Sequence, residues 1–97
     1  MKTEDKYDFN LDLVDLVGHC DGSSLRVAIV IATYNGDISE GLLEGAKKAL
    51  LECNVKDSSI TTAAVDGVVE IPVIAQQFLK KDNVDVVITL GSVIQGD

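Results

Sequence analysis

Three runs of the chain, residues 26–33, 59–65 and 84–90, are rich in β-branched apolar residues and predict β-strands. The first run is almost continuously apolar, which is typical of a strand that helices cover on both faces of a parallel sheet. The second run is shorter and more polar, and an Asp-Gly pair follows it. The pattern therefore predicts a buried strand followed by two further strands.

The segments between these runs have apolar residues at every third or fourth position, which predicts helices. The first helix follows the Asn35-Gly36 turn and extends to about Cys53. The second begins near Ile71 and extends to about Lys81. Each helix thus presents one apolar stripe to a core.

Residues near and within these helices predict further detail. Asp37 and Glu40 have the spacing of a capping pair at the first helix, and Pro72 lies where the first turn of the second helix tolerates proline. Gly41 and Gly45 lie inside the first helix, where each costs about 1 kcal/mol relative to alanine. These glycines make sense only where the helix backbone approaches something closely, and we expect such an approach at these two positions.

The order β, α, β, α, β with right-handed crossovers predicts three parallel strands in one sheet, in the order 2-1-3. The expected fold class is a three-layer α/β/α sandwich with a flavodoxin-like parallel sheet, truncated after the third strand. The third strand lies at an edge, and its backbone groups need a further partner. The domain of residues 25–97 is accordingly expected to be incomplete, or to be completed by a partner.

The composition allows one small domain preceded by an arm. The chain has 97 residues, of which 46% are hydrophobic, and residues 1–24 form an acidic N-terminal arm. Within the arm, residues 9–17 fit either a short strand or a helical turn. A net charge of −8 argues against nucleic acid and anionic membranes as partners, and no apolar run has the length of a membrane span. We expect a cytoplasmic protein.

The cysteines and the histidine predict no special chemistry. Cys20 and Cys53 lie far apart in the sequence, without a second pair near either, so we expect reduced thiols. His19 adds only a third candidate ligand, and no spacing signature supplies a fourth. We therefore predict no metal site and no catalytic role for His19.

Chemistry is expected at the carboxyl ends of the strands, where an open parallel sheet binds its ligands. Three segments follow the strands there: residues 33–35, 66–72 and 91–97. We call them loop 1, loop 2 and loop 3. Together they offer one aromatic ring, one carboxylate at a helix entrance, and a glycine-bracketed stretch whose backbone groups are free for recognition.

Each candidate has a structural alternative. The ring of Tyr34 can stack on a planar heterocycle or cover the core with its hydroxyl in water. The Glu70 carboxylate can bind a ligand. Alternatively, it lies at the start of the helix because the positive end of the helix dipole stabilises a negative charge there. Val93 and Ile94 fit a loop that recognises its ligand through the backbone, or a phosphate cradle, although two glycines without a basic residue are a weak signal for the latter.

The three loops together resemble those of the lumazine synthase family of riboflavin biosynthesis. Residues 21–30 are similar to the family's first strand, Tyr34-Asn35 to its aromatic-Asn pair, residues 67–72 to its G-x-x-E-[IL]-P segment, and residues 91–97 to its G-x-[VL]-I-[RK]-G-x segment. The motifs occur in the family's order and spacing. The resemblance extends from about Asp21 to Asp97.

The resemblance implies an enzyme, a 6,7-dimethyl-8-ribityllumazine synthase. The family condenses 5-amino-6-(D-ribitylamino)uracil with 3,4-dihydroxy-2-butanone 4-phosphate and needs no cofactor. It also implies that Tyr34 stacks on the pyrimidine, that Val68, Val69 and Glu70 hold the ribityl chain, and that the backbone of loop 3 bonds the uracil edge. The implied substrate-binding residues are Tyr34, Asn35, Val68, Val69, Glu70, Ser92, Val93 and Ile94, and the implied phosphate-binding residues are Gly96 and Asp97.

Several departures from the family pattern bear on activity. Val69 replaces an aromatic residue, Asp66 replaces proline, and Gln95 replaces a basic residue. The family's catalytic histidine is expected just after Asp97, so no catalytic residue is assigned, and the 97-residue chain is expected to be inactive alone. The family also implies a homo-pentamer, or a multiple of it, with the site between subunits.

A second hypothesis is a non-catalytic α/β module that binds a flavin or nucleotide, or serves assembly, and merely shares the three loops. The chemistry of the loops is compatible with both hypotheses.

Overall fold

The computed structural model describes residues 10–13, 15, 18, 20–81 and 83–95. Its strands are β1 (Val27–Ala32), β2 (Ile60–Val65) and β3 (Val86–Leu90), and its helices are α1 (Gly36–Glu52) and α2 (Ile71–Lys80). Short 3-10 turns lie at Leu11–Leu13, Asp57–Ser59 and Val68–Glu70. The predicted α/β architecture is confirmed, and β3 begins two residues later than the sequence pattern suggests.

The three strands form one parallel sheet in the order β2-β1-β3, as predicted. Side chains of β1 alternate between the two faces of the sheet and give two core clusters. Val27 and Ile29 pack with residues of α1, whereas Val30 and Ala32 pack with residues of α2. Every residue of β1 is buried, which agrees with its continuous apolar run.

One expectation for α1 is wrong, and another finds no counterpart among the described residues. The helix begins after Asn35, whose backbone is left-handed at φ 69° and ψ 60° with no side-chain cap, and Asp37 lies inside the first turn. Asparagine tolerates this conformation because its short polar side chain reduces the steric cost. A Cβ added at Gly41 or Gly45 would meet nothing within 4 Å, so no described part of the chain approaches the helix there.

The expectation of reduced thiols is also wrong, because the structure joins Cys20 and Cys53 in a disulfide. Their 33-residue separation in sequence conceals their proximity. In a strand-helix unit the helix returns the chain to the end of the sheet where the strand began. The end of α1 therefore lies beside the segment that leads into β1.

At the same end of the sheet, an ion pair links the residues that precede β1 and β3. The Arg26 backbone N–H donates to Asp85 Oδ2 over 2.7 Å, and its guanidinium donates to both carboxylate oxygens over 3.2 and 2.9 Å. The Asp85 N–H returns a bond to the Arg26 carbonyl at 2.7 Å. These bonds, the side-chain ones above all, lower the pKa of Asp85.

The predicted arm is only partly within the described residues. Leu11–Leu13 forms a single 3-10 turn, in which Asp12 N–H donates to Asn10 Oδ1. Most of the apolar residues on which the strand or helix alternatives depend lie outside the described part. Within that part, no helix has the length and hydrophobicity needed to cross a membrane.

Candidate functional site

Loop 1 leaves β1 with its backbone tied to β2 and α1. The N–H groups of Thr33 and Tyr34 donate to the carbonyls of Val65 and Asp66 at 2.8 and 3.0 Å, which extends the sheet pairing by two residues. The Tyr34 side chain is 72% exposed. The ring therefore does not cover the core formed by the described residues, and the core-covering alternative does not fit this arrangement.

Ser39 fixes the turn of loop 1 from inside. It is 3% exposed, and its hydroxyl donates to the Ala32 carbonyl at 2.6 Å, with the Tyr34 carbonyl 3.3 Å away as a second acceptor. A buried hydroxyl needs such partners because leaving it unpaired costs about 1–3 kcal/mol. Ser39 is not among the predicted site residues, although its place in the apolar stripe with Leu43 and Ala46 was a usable signal.

Loop 2 is organised around the carboxylate of Glu70. The Gly67 N–H donates to Glu70 Oε1 at 2.8 Å, and the Glu70 N–H donates to the Gly67 carbonyl at 3.1 Å. This pair closes the 3-10 turn that leads into α2, so Glu70 has a structural role there. The side chain is exposed, and its carboxylate retains further acceptor capacity for a ligand.

The two valines of loop 2 differ in environment. Val68 packs with the core cluster of Ile71 and Ala32, whereas Val69 is 80% exposed. A groove of about 480 Å³ lies between the end of β2 and the first turns of α2, and its lining includes Asp66, Val69 and Glu70. Of the two valines, only Val69 presents its side chain to this groove.

Loop 3 contacts both of the other loops. A Cβ at Gly91 would lie 2.6 Å from Val68 Cγ1, so the chain passes directly over loop 2 where it leaves β3. The Asn35 amide donates to the Ser92 hydroxyl at 3.4 Å, a long bond between loops 1 and 3. Beyond this point the side chains of Val93 and Ile94 are 84% and 55% exposed.

The structure thus brings loops 1, 2 and 3 together at the carboxyl edge of the sheet, as the topology predicts. Loop 3 meets loop 1 through the Ser92–Asn35 bond and loop 2 through the packing of Gly91 against Val68. Gly96 and Asp97, the predicted phosphate-binding residues, lie outside the described part of the chain.

The charge at this edge is acidic. Asp37, Asp66 and Glu70 are exposed there, and the sequences of the three loops contain no lysine or arginine. The described residues include no cluster of three or more His, Cys, Asp or Glu side chains arranged to hold a metal ion. The arrangement suits hydrogen bonding of hydroxyl, amino and amide groups and stacking on Tyr34.

The molecule is an α/β protein with an open parallel sheet, and its loops gather at the carboxyl ends of the strands, where such sheets bind their ligands. A family model, 6,7-dimethyl-8-ribityllumazine synthase, matches residues 24–97. The chain belongs to this family, which confirms the resemblance found in the loop motifs. Membership of this family supports a role in riboflavin biosynthesis. It also indicates a transferase that acts on small-molecule substrates and forms an oligomeric assembly.

Proposed function

We propose that the three loops bind the substrates of 6,7-dimethyl-8-ribityllumazine synthase, 5-amino-6-(D-ribitylamino)uracil and 3,4-dihydroxy-2-butanone 4-phosphate. The observation that carries the proposal is the exposed ring of Tyr34 on a backbone held by β2, next to loops 2 and 3. Because the backbone that carries the ring is already held, only the side chain has to become ordered when it stacks on a pyrimidine, which lowers the entropic cost of binding.

The groove beside loop 2 supports a place for the ribityl chain. Val69 offers apolar contact, and the carboxylates of Glu70 and Asp66 can accept hydrogen bonds from a polyol. Val68 differs from the expectation that the resemblance gave, since its side chain packs with the core. We propose that Val68 contributes through its backbone.

The uracil edge would meet the backbone of Ser92, Val93 and Ile94. These residues follow β3 and belong to neither a strand nor a helix. The side chains of Val93 and Ile94 are exposed. Backbone recognition accounts for two exposed apolar side chains in a ligand loop. Asn35 would join this part of the site through its bond to Ser92.

The contribution to catalysis would be the positioning of two substrates, which can account for several kcal/mol of the barrier, roughly 7–11 at most. Proton transfer is assigned to no residue of the described loops. We expect substrate binding without measurable formation of the lumazine product by the 97-residue chain, because its single histidine, His19, is outside the three loops. The absorbance of the lumazine product measures this directly.

We also propose a cytoplasmic homo-oligomer built from pentamers. The support is the family membership together with the exposed apolar side chains of Val73, Leu79 and Val93, which are 61%, 57% and 84% exposed. Val73 and Leu79 line the same shallow groove on α2, and a contiguous exposed apolar patch is typical of a contact surface.

Calorimetric titration with the ribitylamino-uracil tests the binding proposal. Tyr34→Ala should weaken binding by about 1–3 kcal/mol, the value of one lost base-aromatic stack, while Tyr34→Phe should retain most of the affinity. Leu51→Ala, which removes an exposed apolar side chain near the end of α1, away from the three loops, is the matched control. Equal affinities for the wild type and Tyr34→Ala would overturn the assignment, and a flavin or nucleotide bound in preference would favour the non-catalytic hypothesis.

A further inference from the structure

The Cys20–Cys53 pair lies at the amino end of β1, opposite the three loops of the proposed site. Its Cα atoms are 5.2 Å apart, within the range in which two cysteines can be bridged without movement of the backbone. Neither cysteine belongs to the family motifs of the loops. The pair is therefore independent of the proposed binding function.

Besides the disulfide, backbone contacts link the two segments that carry the cysteines. The Gly22 N–H donates to the Cys53 carbonyl at 2.6 Å, and the Leu25 N–H closes a turn onto the Gly22 carbonyl at 2.9 Å. Gly22 is buried, and a Cβ at this position would lie 2.5 Å from Val55 Cγ2. The close approach of these two segments thus requires a glycine.

The two sulfur positions differ in access. Cys20 is exposed, whereas Cys53 is half-buried at the end of α1. A thiol in solution can therefore reach Cys20 more easily than Cys53, and access is one of the factors that set the rate of thiol-disulfide exchange.

We propose that Cys20 and Cys53 are a reversible thiol-disulfide exchange site for low-molecular-weight thiols and disulfides. A thiolate attacks the Cys20 sulfur, breaks the protein disulfide and releases the Cys53 thiolate, which takes up a proton. A second thiolate attacks the small-molecule sulfur of the mixed disulfide and releases Cys20. Two thiols are oxidised to one small disulfide, and the two electrons reduce the protein disulfide to two thiols.

The exchange changes how the chain is tied together. The oxidised form closes a loop that contains β1, α1 and the Tyr34-Asn35 turn, and it joins the segment before β1 covalently to the end of α1. In the reduced form the Gly22–Cys53 backbone bond and the packing of Val55 beside Gly22 still link the two segments. A compartment with a thiol buffer, such as the cytoplasm, would favour the reduced form unless the fold stabilises the disulfide.

A redox titration of the 97-residue chain tests the proposal. The chain is equilibrated with reduced and oxidised glutathione, the thiols are alkylated, and mass spectrometry gives the oxidised fraction. Because the fold holds the cysteines adjacent, the equilibrium constant for disulfide formation should be at least about tenfold higher in native buffer than in 6 M guanidinium chloride, a difference of roughly 30 mV for a two-electron couple. Equal constants in the two solvents would overturn the proposal.

Two glycine variants separate packing from a general effect of mutation. Gly22→Ala places a methyl group against Val55 and should lower the equilibrium constant several-fold, whereas Gly18→Ala meets nothing within 4 Å and should leave it unchanged. Circular dichroism confirms that both variants remain folded. An unchanged constant in folded Gly22→Ala would show that the fold does not hold the cysteines together through this contact.

Single cysteine variants test the direction of attack. With oxidised glutathione, Cys53→Ser should form the mixed disulfide at Cys20 faster than Cys20→Ser forms it at Cys53. Reduction should lower the melting temperature of the wild type by roughly 10 °C or more, because the disulfide no longer closes the loop in the unfolded chain. The melting temperature of the double variant Cys20→Ser/Cys53→Ser should not change on reduction. If reductant left the wild-type melting temperature unchanged, the proposal that the disulfide joins the segment before β1 to the end of α1 in solution would be contradicted.

Discussion

β1 and β3 differ in burial although their apolar sequences are similar. Every residue of β1 is buried, whereas β3, paired in register beside it, has none that is fully buried, and Val86 is 39% exposed. β1 has a strand on each side and a helix on each face, while β3 pairs only with β1 among the described residues. A run of β-branched residues therefore predicts a strand, but its place in the sheet decides how much of it is covered.

The largest expected effect tests this comparison at one pair of aligned residues. Ile29, which is 0% exposed, lies opposite the half-buried Ile88, and both belong to the cluster under α1. We expect Ile29→Ala to lower the free energy of unfolding by about 2–5 kcal/mol, since a cavity forms where nothing can relax to fill it. Ile88→Ala should cost roughly half as much or less. Denaturant titration at low protein concentration gives both values.

The comparison fails if the two variants lose equal stability. An equal loss would mean that β3 is covered in solution by something other than the described residues. The same titration at higher protein concentration distinguishes a second copy as the cover, because the midpoint would then rise with concentration.

The sequence predicts β1 and its environment well because a strand covered on both faces needs an unbroken apolar run. The strand order follows from the right-handed crossovers, and the convergence of the three loops follows from the parallel order. Each of these properties depends on periodicity or on chain connectivity. Both can be read along the sequence without knowledge of distant contacts.

The contacts that the sequence does not reveal are those between residues far apart in the chain. The Cys20–Cys53 disulfide and the Arg26–Asp85 pair connect positions 33 and 59 residues apart, and no local pattern marks them. The capping prediction failed because α1 begins at Gly36, directly after a left-handed Asn35 that makes no side-chain cap bond, so Asp37 lies inside the first turn. The predicted close approach at Gly41 and Gly45 has no counterpart among the described residues.

A smaller effect is expected where β3 ends. Gly91→Ala places a methyl group 2.6 Å from Val68 Cγ1 and in contact with Ala32 and Ile71, so we expect a loss of about 1–3 kcal/mol from overpacking. Gly36→Ala, which meets nothing within 4 Å, is the control and should change stability by less than about 0.5 kcal/mol. Chemical denaturation measures both variants.

The pair of glycine variants shows whether β3 is firmly anchored despite its exposed side chains. If Gly91→Ala were as mild as Gly36→Ala, loop 3 would have room to move away from loop 2. In that case loops 1 and 2 alone would hold the site in its arrangement.

The smallest expected effect concerns the start of β3, where Asp85 bonds to Arg26. The pKa of Asp85 is lowered from its ordinary value of 3.8, mainly by the Arg26 side chain, so the folded state favours the ionised carboxylate. The resulting stability is present above pH 3.8 and is lost as the pH falls through the folded pKa. It is small because the Arg26 and Asp85 side chains are 49% and 35% exposed, and salt screens such pairs.

Asp85→Asn should therefore lower stability at neutral pH and have progressively less effect as the solution is acidified. Unfolding at several pH values, for the wild type and the variant, measures the difference. In an Arg26→Met background most of this pH dependence should disappear, and the bond from the Arg26 backbone N–H should leave a remainder. Parallel pH profiles for the wild type and Asp85→Asn would show that Asp85 does not hold β3 to β1 through its charge, and that the register of the two strands depends on their backbone ladder.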